Sequence, residues 1–294
     1  MQGFLLIDKP EGMTSFSAVS RIKRLASEKR VGHTGTLDPL ATGVLPIFLG
    51  RATALSSILL EAEKQYTATV KLGITTDTCD ITGTVLEEKS VSVKREELEQ
   101  ALSRFLGETE QTPPIYSALK KDGVRLYELA RRGEEVQIEP RKITIDRLEL
   151  KSFKGDTFEI FVSCSKGTYI RSLCRDIGER LGCGATMTAL RRNATCGFSE
   201  SDCVRLNDLT ADNISDYIKS EEWAIRHLPE LLVSEKQAIR FSNGGQLSYE
   251  RLHGREFLEG ELLRVKYNDQ FLGIGYADNE KKQIAIKCII NQFK

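Results

Sequence analysis

Strand and helix patterns alternate along the first two thirds of the chain, and this interleaving constrains the fold most. Residues 67–72 and 157–164 each alternate apolar and polar side chains, as half-buried strands do. Residues 169–181 follow the second strand after a short KGT link and carry an apolar stripe at helical spacing. Short polar links or long excursions join the strands. We therefore predict an α+β domain with a mixed, mainly antiparallel central sheet flanked by helices.

Other segments complete this prediction. Residues 31–50 contain four glycines and two prolines without a period, which predicts a long structured loop. Residues 82–86 are predicted to pair with the strand at 67–72, and Ser15 is predicted to cap the first helix. The remaining predicted elements are a strand at 143–150 and helices at 15–26, 94–106, 124–132 and, for the most part, 200–230.

The last part of the chain has a different texture. After Pro229, short apolar runs at 262–267, 271–278 and 283–290 are separated by glycines, which is typical of short strands. We predict two domains, residues 1–230 and a small β-rich domain at 231–294. The second domain is expected to supply affinity for a partner, with a purely structural role as the alternative.

Composition limits the class of protein. The chain has 294 residues, 40% hydrophobic and 29% charged, which is ordinary globular usage. No run of 18 apolar residues occurs, and the start lacks a basic segment and a cleavage site. Seven cysteines without CxxC, and three histidines, give no zinc-site spacing. We expect a reduced cytoplasmic protein with no metal and no contact with a membrane.

Charge is balanced overall but segregated along the chain. Residues 164–196 hold six basic and two acidic groups, and residues 111–133 hold five and two. Basic clusters in a neutral chain can present a face to phosphates, and solvated helix faces are the alternative. Tyr116 and Tyr127 lie among the basic residues of 111–133, a mixture that suits RNA.

Several residues stand where chemistry is possible. Asp38 precedes a proline in the glycine-rich loop, where it either serves a ligand or caps a turn. Tyr66 enters a strand, and either packs in the sheet or stacks on a base. Tyr169 and Arg171 begin a helix directly after a strand, and an arginine next to an apolar stripe needs an anion or acceptor. Leu190 and the two arginines after it could form the walls of a cleft.

Six stretches together resemble the TruB family of bacterial tRNA pseudouridine synthases. They run in family order from residue 3 to about 198, and the last 60 or so residues are similar to a small RNA-binding PUA-type domain. The stretches are GFLLIDKPEGMTS, VGHTGTLDPLATGVLPIFLGRATAL, EKQYTATVKLGITTDTCDITG, PPIYSALKKDGVRLYELAR, CSKGTYIRSLCRDIGERLG and GATMTALRRNATCGF.

The resemblance implies a reaction and a site. It implies the pseudouridine synthase fold and isomerisation of uridine 55 in the T arm of tRNA, without a cofactor, by a protein expected to be a monomer. The catalytic aspartate falls on Asp38, with attack at C1′, attack at C6 and help in losing the 2′ proton all open. Arg171 is its ion-pair partner, and Tyr66 stacks on the base and moves a proton. Tyr169 and Leu190 line the nucleoside pocket. His33 inserts where the flipped base leaves the stack, the alternative being a histidine satisfied in a turn.

Two other functions remain open on the residues alone. A glycosidase also uses a carboxylate at an anomeric carbon, but it needs a second carboxylate at a defined spacing, and none stands out in these loops. A non-catalytic RNA-binding or RNA-folding module would bind RNA without making product.

Overall fold

A computed structural model describes residues 1–60, 62–134, 136–252 and 256–293. The strands, in chain order, are β1 (Gly3–Lys9), β2 (Val31–His33), β3 (Thr42–Leu49), β4 (Lys64–Leu72), β5 (Ile74–Thr76), β6 (Val85–Glu88), β7 (Gly107–Gln111), β8 (Lys120–Lys121), β9 (Val124–Arg125), β10 (Arg141–Lys154), β11 (Thr157–Cys164), β12 (Ala185–Thr195), β13 (Phe198–Ser199), β14 (Val204–Arg205), β15 (Glu230–Leu232), β16 (Leu247–Ser248), β17 (Leu262–Tyr267), β18 (Gln270–Asp278) and β19 (Gln283–Ile289).

Helices connect many of these strands. The α-helices are α1 (Ser15–Leu25), α2 (Ser56–Leu59), α3 (Arg95–Ser103), α4 (Leu126–Arg131), α5 (Ile170–Arg180), α6 (Ile214–Tyr217), α7 (Glu221–Ala224) and α8 (Glu235–Ser242). Short 3-10 helices cover Gly50–Leu55, Glu200–Asp202, Leu206–Asp208 and Tyr249–Arg251.

A large mixed sheet dominates the fold. In the described part of the chain it has ten strands in the order β14-β1-β3-β12-β4-β11-β10-β7, with β2 on β3 and β13 on β12. β1–β14 and β3–β12 pair in parallel, and the other neighbours are antiparallel. The helices α1, α3 and α5 pack against one face, where side chains of β3, β4 and β11 form the main core. The predicted α+β class and mainly antiparallel sheet are confirmed.

A second sheet lies against the opposite face. Its strands run in the order β15-β17-β18-β19-β16, and the strands predicted at 262–267, 271–278 and 283–290 are all present. Phe271 and Ile274 of this sheet share an apolar cluster with Phe4 and Phe48 of the large sheet. The rings of Phe4 and Phe48 are 5.0 Å apart. The two sheets therefore share a buried apolar interface.

The prediction of a loop throughout residues 31–50 is wrong. Only 34–41 is a loop, because β2 precedes it and β3 follows it. β3 directs Leu45 and Ile47 into the main core and Val44 and Phe48 into the inter-sheet cluster. A strand that is buried on both faces shows no alternation of polarity, so its sequence has no period of two.

Three other predictions need correction. Residues 82–86 do not pair with β4, whose edges are taken by β11 and β12; β6 pairs instead with β5. The N-cap of α1 is Thr14, whose side chain accepts from the amide of Ser17. The region 200–230 contains only helices of three or four residues. There Asn213 bonds backbone groups of Thr210 and Asp208, and such side-chain bonds compete with a continuous helix.

Candidate active site

The loop that carries Asp38 is fixed at its backbone by the start of α1. The hydroxyl of Ser15 accepts from the amide of Leu37 at 2.9 Å and donates to its carbonyl at 3.1 Å. The amide of Gly12 donates to the carbonyl of Pro39 at 2.9 Å. The side chain of Asp38 remains 35% exposed. These hydrogen bonds anchor the backbone on both sides of Asp38, and the Asp38 carboxylate stays accessible.

Arg171 is the direct partner of Asp38. Its Nε lies 2.9 Å from Oδ2, and its Nη2 donates to Oδ1 at 3.3 Å. The remaining donors are also used: Nη1 donates to the carbonyl of Thr78 at 3.1 Å, and Nη2 to that of Tyr116 at 2.9 Å. Arg171 is only 5% exposed. A planar guanidinium is therefore clamped between three loops and α5, and it presents a fixed fork to the carboxylate.

Asp80 belongs to this network and was missed from the sequence. Its Oδ2 lies 3.7 Å from Nη1 of Arg171, and the residue is 5% exposed. Its Oδ1 accepts from the hydroxyl of Thr78 at 3.0 Å and the amide of Thr82 at 3.0 Å. Thr78 and Thr82, two residues before and after Asp80, are the signal in the sequence, because threonine side chains can bond a local carboxylate.

Tyr66 and Leu190 lie side by side on the core face of the sheet. Tyr66 on β4 is in register with Arg192 on β12, and Ala68 is in register with Leu190. Residues two apart on a strand share a face, so Tyr66, Leu190 and Arg192 point the same way. Tyr66 is 7% exposed and Leu190 is 8% exposed. Burial raises the pKa of the Tyr66 phenol above its usual value, and the charge of Arg192 opposes this shift.

Tyr169 is held at the start of α5, two residues before Arg171. Its amide donates to Oε1 of Gln111 at 2.8 Å, and its carbonyl accepts from the same side chain at 3.1 Å. Burial raises the pKa of the Tyr169 phenol, and the charges of Arg171 and Asp38 act on it as well. The phenol of Tyr169 therefore lies within the electrostatic influence of the Asp38–Arg171 pair.

His33 ends β2, at the edge of the same loop. Burial, followed by the charge of Arg192, lowers the pKa of its imidazole. Its Nδ1 is buried without a hydrogen-bond partner in the described structure. The alternative of a histidine satisfied within a turn is therefore not supported at this nitrogen.

Lys9 adds a second buried cation that sequence reasoning did not single out. Its Nζ donates to the carbonyls of Met13 at 2.7 Å and Pro10 at 2.8 Å. Burial lowers the pKa of Lys9 to about 8, while the charge of Asp38 raises it. The only hint in the sequence was a lysine at the end of an apolar run.

The structure thus gathers the predicted residues around one carboxylate. Asp38 contacts Arg171 directly, its charge acts on Tyr66 and Tyr169, and Leu190 and His33 flank the same region through β12 and β2. Gly35 and Gly43 lie close to Arg192, since a Cβ at either position would lie within 3.0 Å of its atoms.

Among the described residues, no group of three or more His, Cys, Asp or Glu side chains could hold a metal ion. Likewise, none of the helices described is both long enough and apolar enough to cross a membrane.

Comparison with solved structures defines the class. The chain superposes on a Cbf5–Nop10–Gar1 complex with a TM-score of 0.76 and 28% identity, over 99% of this chain and 85% of that chain. An H/ACA RNP bound to a substrate RNA containing 2′-deoxyuridine gives 0.73 and 25%, over 98% and 85%. The fold is that of a pseudouridine synthase.

Sequence comparison gives the family. Residues 23–170 match the N-terminal domain of the TruB family pseudouridylate synthases, and residues 171–232 match the tRNA pseudouridylate synthase B C-terminal domain. The tRNA pseudouridine synthase B of Clostridium perfringens (strain 13) is 45% identical over 283 residues, 95% of this chain and 96% of the relative. That of Chromobacterium violaceum is 44% identical over 295 residues, 99% and 96%. The chain belongs to the TruB family of pseudouridine synthases, which are isomerases.

Proposed function

We propose that this chain converts uridine 55 in the T arm of tRNA to pseudouridine, in the cytoplasm, as a monomer and without metal or cofactor. The relatives that match nearly its whole length are named tRNA pseudouridine synthase B. The observation that carries the proposal is the Asp38–Arg171 pair, a half-exposed carboxylate held by a buried guanidinium at 2.9 Å.

The reaction rearranges bonds within one nucleotide. The bond from C1′ to N1 breaks, the uracil rotates, and a bond from C1′ to C5 forms. A proton leaves C5 and N1 gains one, so nothing is oxidised and no water is consumed. Asp38 acts at the sugar–base junction as the reacting carboxylate. Arg171 fixes its orientation through two parallel contacts, which keeps the carboxylate placed before the substrate arrives.

The other predicted residues serve the extruded base. Tyr66 stacks on the uracil and carries its hydroxyl to the ring edge, while Tyr169 and Leu190 close the sides of the nucleoside site. His33 fills the gap that the base leaves in the RNA. Removing a base from its stack costs a few kcal/mol, and these contacts offset it. The burial of Tyr66 and Leu190 beside the exposed carboxylate supports this arrangement.

Helix α1 supplies a surface for RNA beside this site. Residues 15–30 hold five basic groups and one acidic group. Phe16 is 76% exposed, and Lys23 and Arg24 are exposed on the same side of the helix, seven and eight residues further on. The start of the helix is bonded to the loop of Asp38 through Ser15. We propose that this face contacts phosphates and a base of the tRNA next to the reacting nucleotide.

In this proposal the C-terminal sheet binds the tRNA at a place distant from the reacting base. Residues 231–294 act as a PUA-like RNA-binding domain, and all the proposed catalytic residues lie before residue 200. Support comes from the separate five-stranded sheet that begins at Glu230–Leu232.

A glycosidase remains the second candidate, because Asp80 places another carboxylate near Arg171. However, Asp80 is 5% exposed and its Oδ1 is engaged by Thr78 and Thr82. A carboxyl group buried in this way is not free to protonate a leaving group or activate water. The geometry therefore favours isomerisation.

One assay separates these functions. Purified protein is incubated with tRNA transcript that carries tritium at C5 of uracil, and release of tritium is followed together with the integrity of the glycosidic bond. Tritium release with an intact chain is expected. An abasic site would indicate a glycosidase. Binding without any product would indicate a non-catalytic RNA-binding module. Asp38→Asn should bind the same tRNA and release no tritium; turnover within a few-fold of the parent would remove Asp38 from the mechanism.

A further inference from the structure

Arg192 is a buried cation whose main donors are unused. It is 0% exposed, and its Nε donates to the carbonyl of Val44 at 2.7 Å. Both terminal nitrogens, Nη1 and Nη2, are buried without a hydrogen bond of ordinary geometry to any described residue. Burying a guanidinium with unsatisfied donors costs several kcal/mol, so its retention calls for a compensating role.

The loop and strand around Arg192 are built to make room for it. A Cβ at Gly35 would lie 3.0 Å from Nη1 of Arg192, and one at Gly43 would lie 2.2 Å from its backbone carbonyl oxygen. Both glycines have positive φ, +72° and +102°. Gly35 in the loop that bears Asp38 and Gly43 in β3 therefore allow the side chain and backbone of Arg192 to approach closely.

The register of the sheet places Arg192 beside Tyr66. The two residues are directly paired between β4 and β12 and point to the same face. After burial, which raises the pKa of the Tyr66 phenol, the largest influence is the charge of Arg192, which lowers it. The unused donors of Arg192 thus have one acceptor next to them that belongs to the active site.

Other ionisable groups also face this pair. Asp38 and Cys164 raise the pKa of Tyr66, whereas Arg192 lowers the pKa values of Lys9, His33 and Cys196. Lys64 is a further charged neighbour, and its Cε lies near Gly35. Arg192 favours the ionised form of Tyr66, whereas burial, Asp38 and Cys164 oppose it, so removal of Arg192 should raise the pKa of Tyr66.

We infer that Arg192 is a positioning residue that directs its unused N–H donors to the Tyr66 hydroxyl and stabilises the phenolate during isomerisation. The inference rests on the proposed function. The neutral phenol of Tyr66 gives its proton to N1 when the C1′–N1 bond breaks, and Arg192 holds the resulting phenolate. After the C1′–C5 bond forms, the phenolate takes the proton from C5. The net change is one proton moved from C5 to N1, and Tyr66 returns to its starting state.

A double-mutant cycle tests the link through catalysis. Single-turnover rates are measured for the parent, Arg192→Met, Tyr66→Phe and the double variant, with excess enzyme and matched melting temperatures as the control for folding. Methionine is apolar and unbranched, and replacing buried charges by apolar side chains is often tolerated. We expect each single variant to lose roughly 100-fold or more and the double variant to be no slower than Tyr66→Phe. Losses that multiply would overturn the inference, because they would mean that Arg192 acts independently of Tyr66.

A second measurement does not depend on activity. The phenolate absorbance of each protein is followed against pH, and subtraction of the matching Tyr66→Phe titration isolates Tyr66. The midpoint should be higher in Arg192→Met than in the parent, and Arg192→Lys, which keeps the charge, should shift it less. An unchanged midpoint in Arg192→Met would overturn the inference. If the parent released no tritium from tRNA, the proposed function would fail, yet this titration would still decide whether Arg192 acts on Tyr66.

Discussion

Arg171 and Asp38 meet through two parallel contacts, from Nε to Oδ2 at 2.9 Å and from Nη2 to Oδ1 at 3.3 Å. The same guanidinium also donates to two carbonyls, from Nη1 to that of Thr78 and from Nη2 to that of Tyr116. One side chain of α5 therefore ties together three loops that are distant in sequence. Because every one of these contacts uses the planar fork, the geometry of the carboxylate depends on arginine and not merely on a positive charge.

Replacing Arg171 should separate charge from geometry. We expect Arg171→Lys to keep little activity and Arg171→Ala less, because an ammonium cannot span Asp38, Thr78 and Tyr116 at once. Removing a partner from a buried pair also costs stability, of the order of 3–5 kcal/mol. Tritium release at saturating tRNA and thermal melting would be measured together. Arg180→Lys, at the exposed end of the same helix, is the matched control and should behave as the parent does. A fully active Arg171→Ala would contradict the ion-pair assignment.

Asp38 could be predicted as a site residue from the sequence, whereas Asp80 could not. Asp38 and Arg171 stand in motifs that resemble a known family, and both lie where the resemblance implies, although their roles stay predictions. Asp80 also lies in one of these motifs but was not singled out, because its place beside Arg171 depends on a turn closed by threonine side chains and an isolated pairing with Met187. Long-range contacts of this kind are set by tertiary structure, which a local pattern does not encode.

The periodic elements were predicted best for a related reason. β11 is half-buried and α5 is amphipathic, so each has a pattern that specifies its type and its bounds. β3 is buried on both faces and β12 lies between β3 and β4, so neither shows a clean alternation, and both were missed. Arg192 was missed as a core residue because full burial of an arginine contradicts the usual preference of its side chain.

The exposed face of α1 should govern the salt dependence of tRNA binding. We expect Lys23→Ala/Arg24→Ala to bind more weakly and to reduce the slope of log affinity against log salt by about 1–2, since each lost phosphate contact removes roughly 0.7–0.9. Phe16→Ser should weaken binding with little change in slope, because stacking releases no counterions. Filter binding over a range of salt concentrations measures both.

The control for this surface lies on another helix. Lys94→Ala/Arg95→Ala, at the start of α3, also removes two charges, but from residues 77–110, which hold four basic and nine acidic groups. It should leave the slope unchanged. Equal effects from both double variants would mean that α1 contributes only to net charge.

His33 should make the fold sensitive to mild acid. Burial and Arg192 lower the pKa of the folded imidazole below its value in the unfolded chain, so the unfolded chain binds more protons as the pH falls below about 6.5. Stability is therefore lost as the pH drops through that value, and His33→Gln should lose less. Melting temperatures between pH 7.5 and 5 measure the difference. His227→Gln is the matched comparison for His33→Gln. The pKa of His227 is also lowered, but its side chain is exposed. A parent and His33→Gln that lose stability equally would show that His33 does not carry this effect.

The apolar cluster between the two sheets should make them unfold together. Ile274 is 0% exposed and shares this cluster with Phe4 and Phe48, whereas Ile239 on α8 is 45% exposed. We expect Ile274→Ala to lower the free energy of unfolding by about 2–5 kcal/mol, and Ile239→Ala to lower it by much less. Calorimetry and tritium release, measured on the same samples, distinguish two outcomes. The shared cluster predicts a single unfolding transition, which Ile274→Ala moves as a whole to lower temperature. Tritium release should persist at temperatures below that transition. Two transitions, of which Ile274→Ala moves only the one that leaves activity intact, would show that residues 231–294 fold as an independent domain.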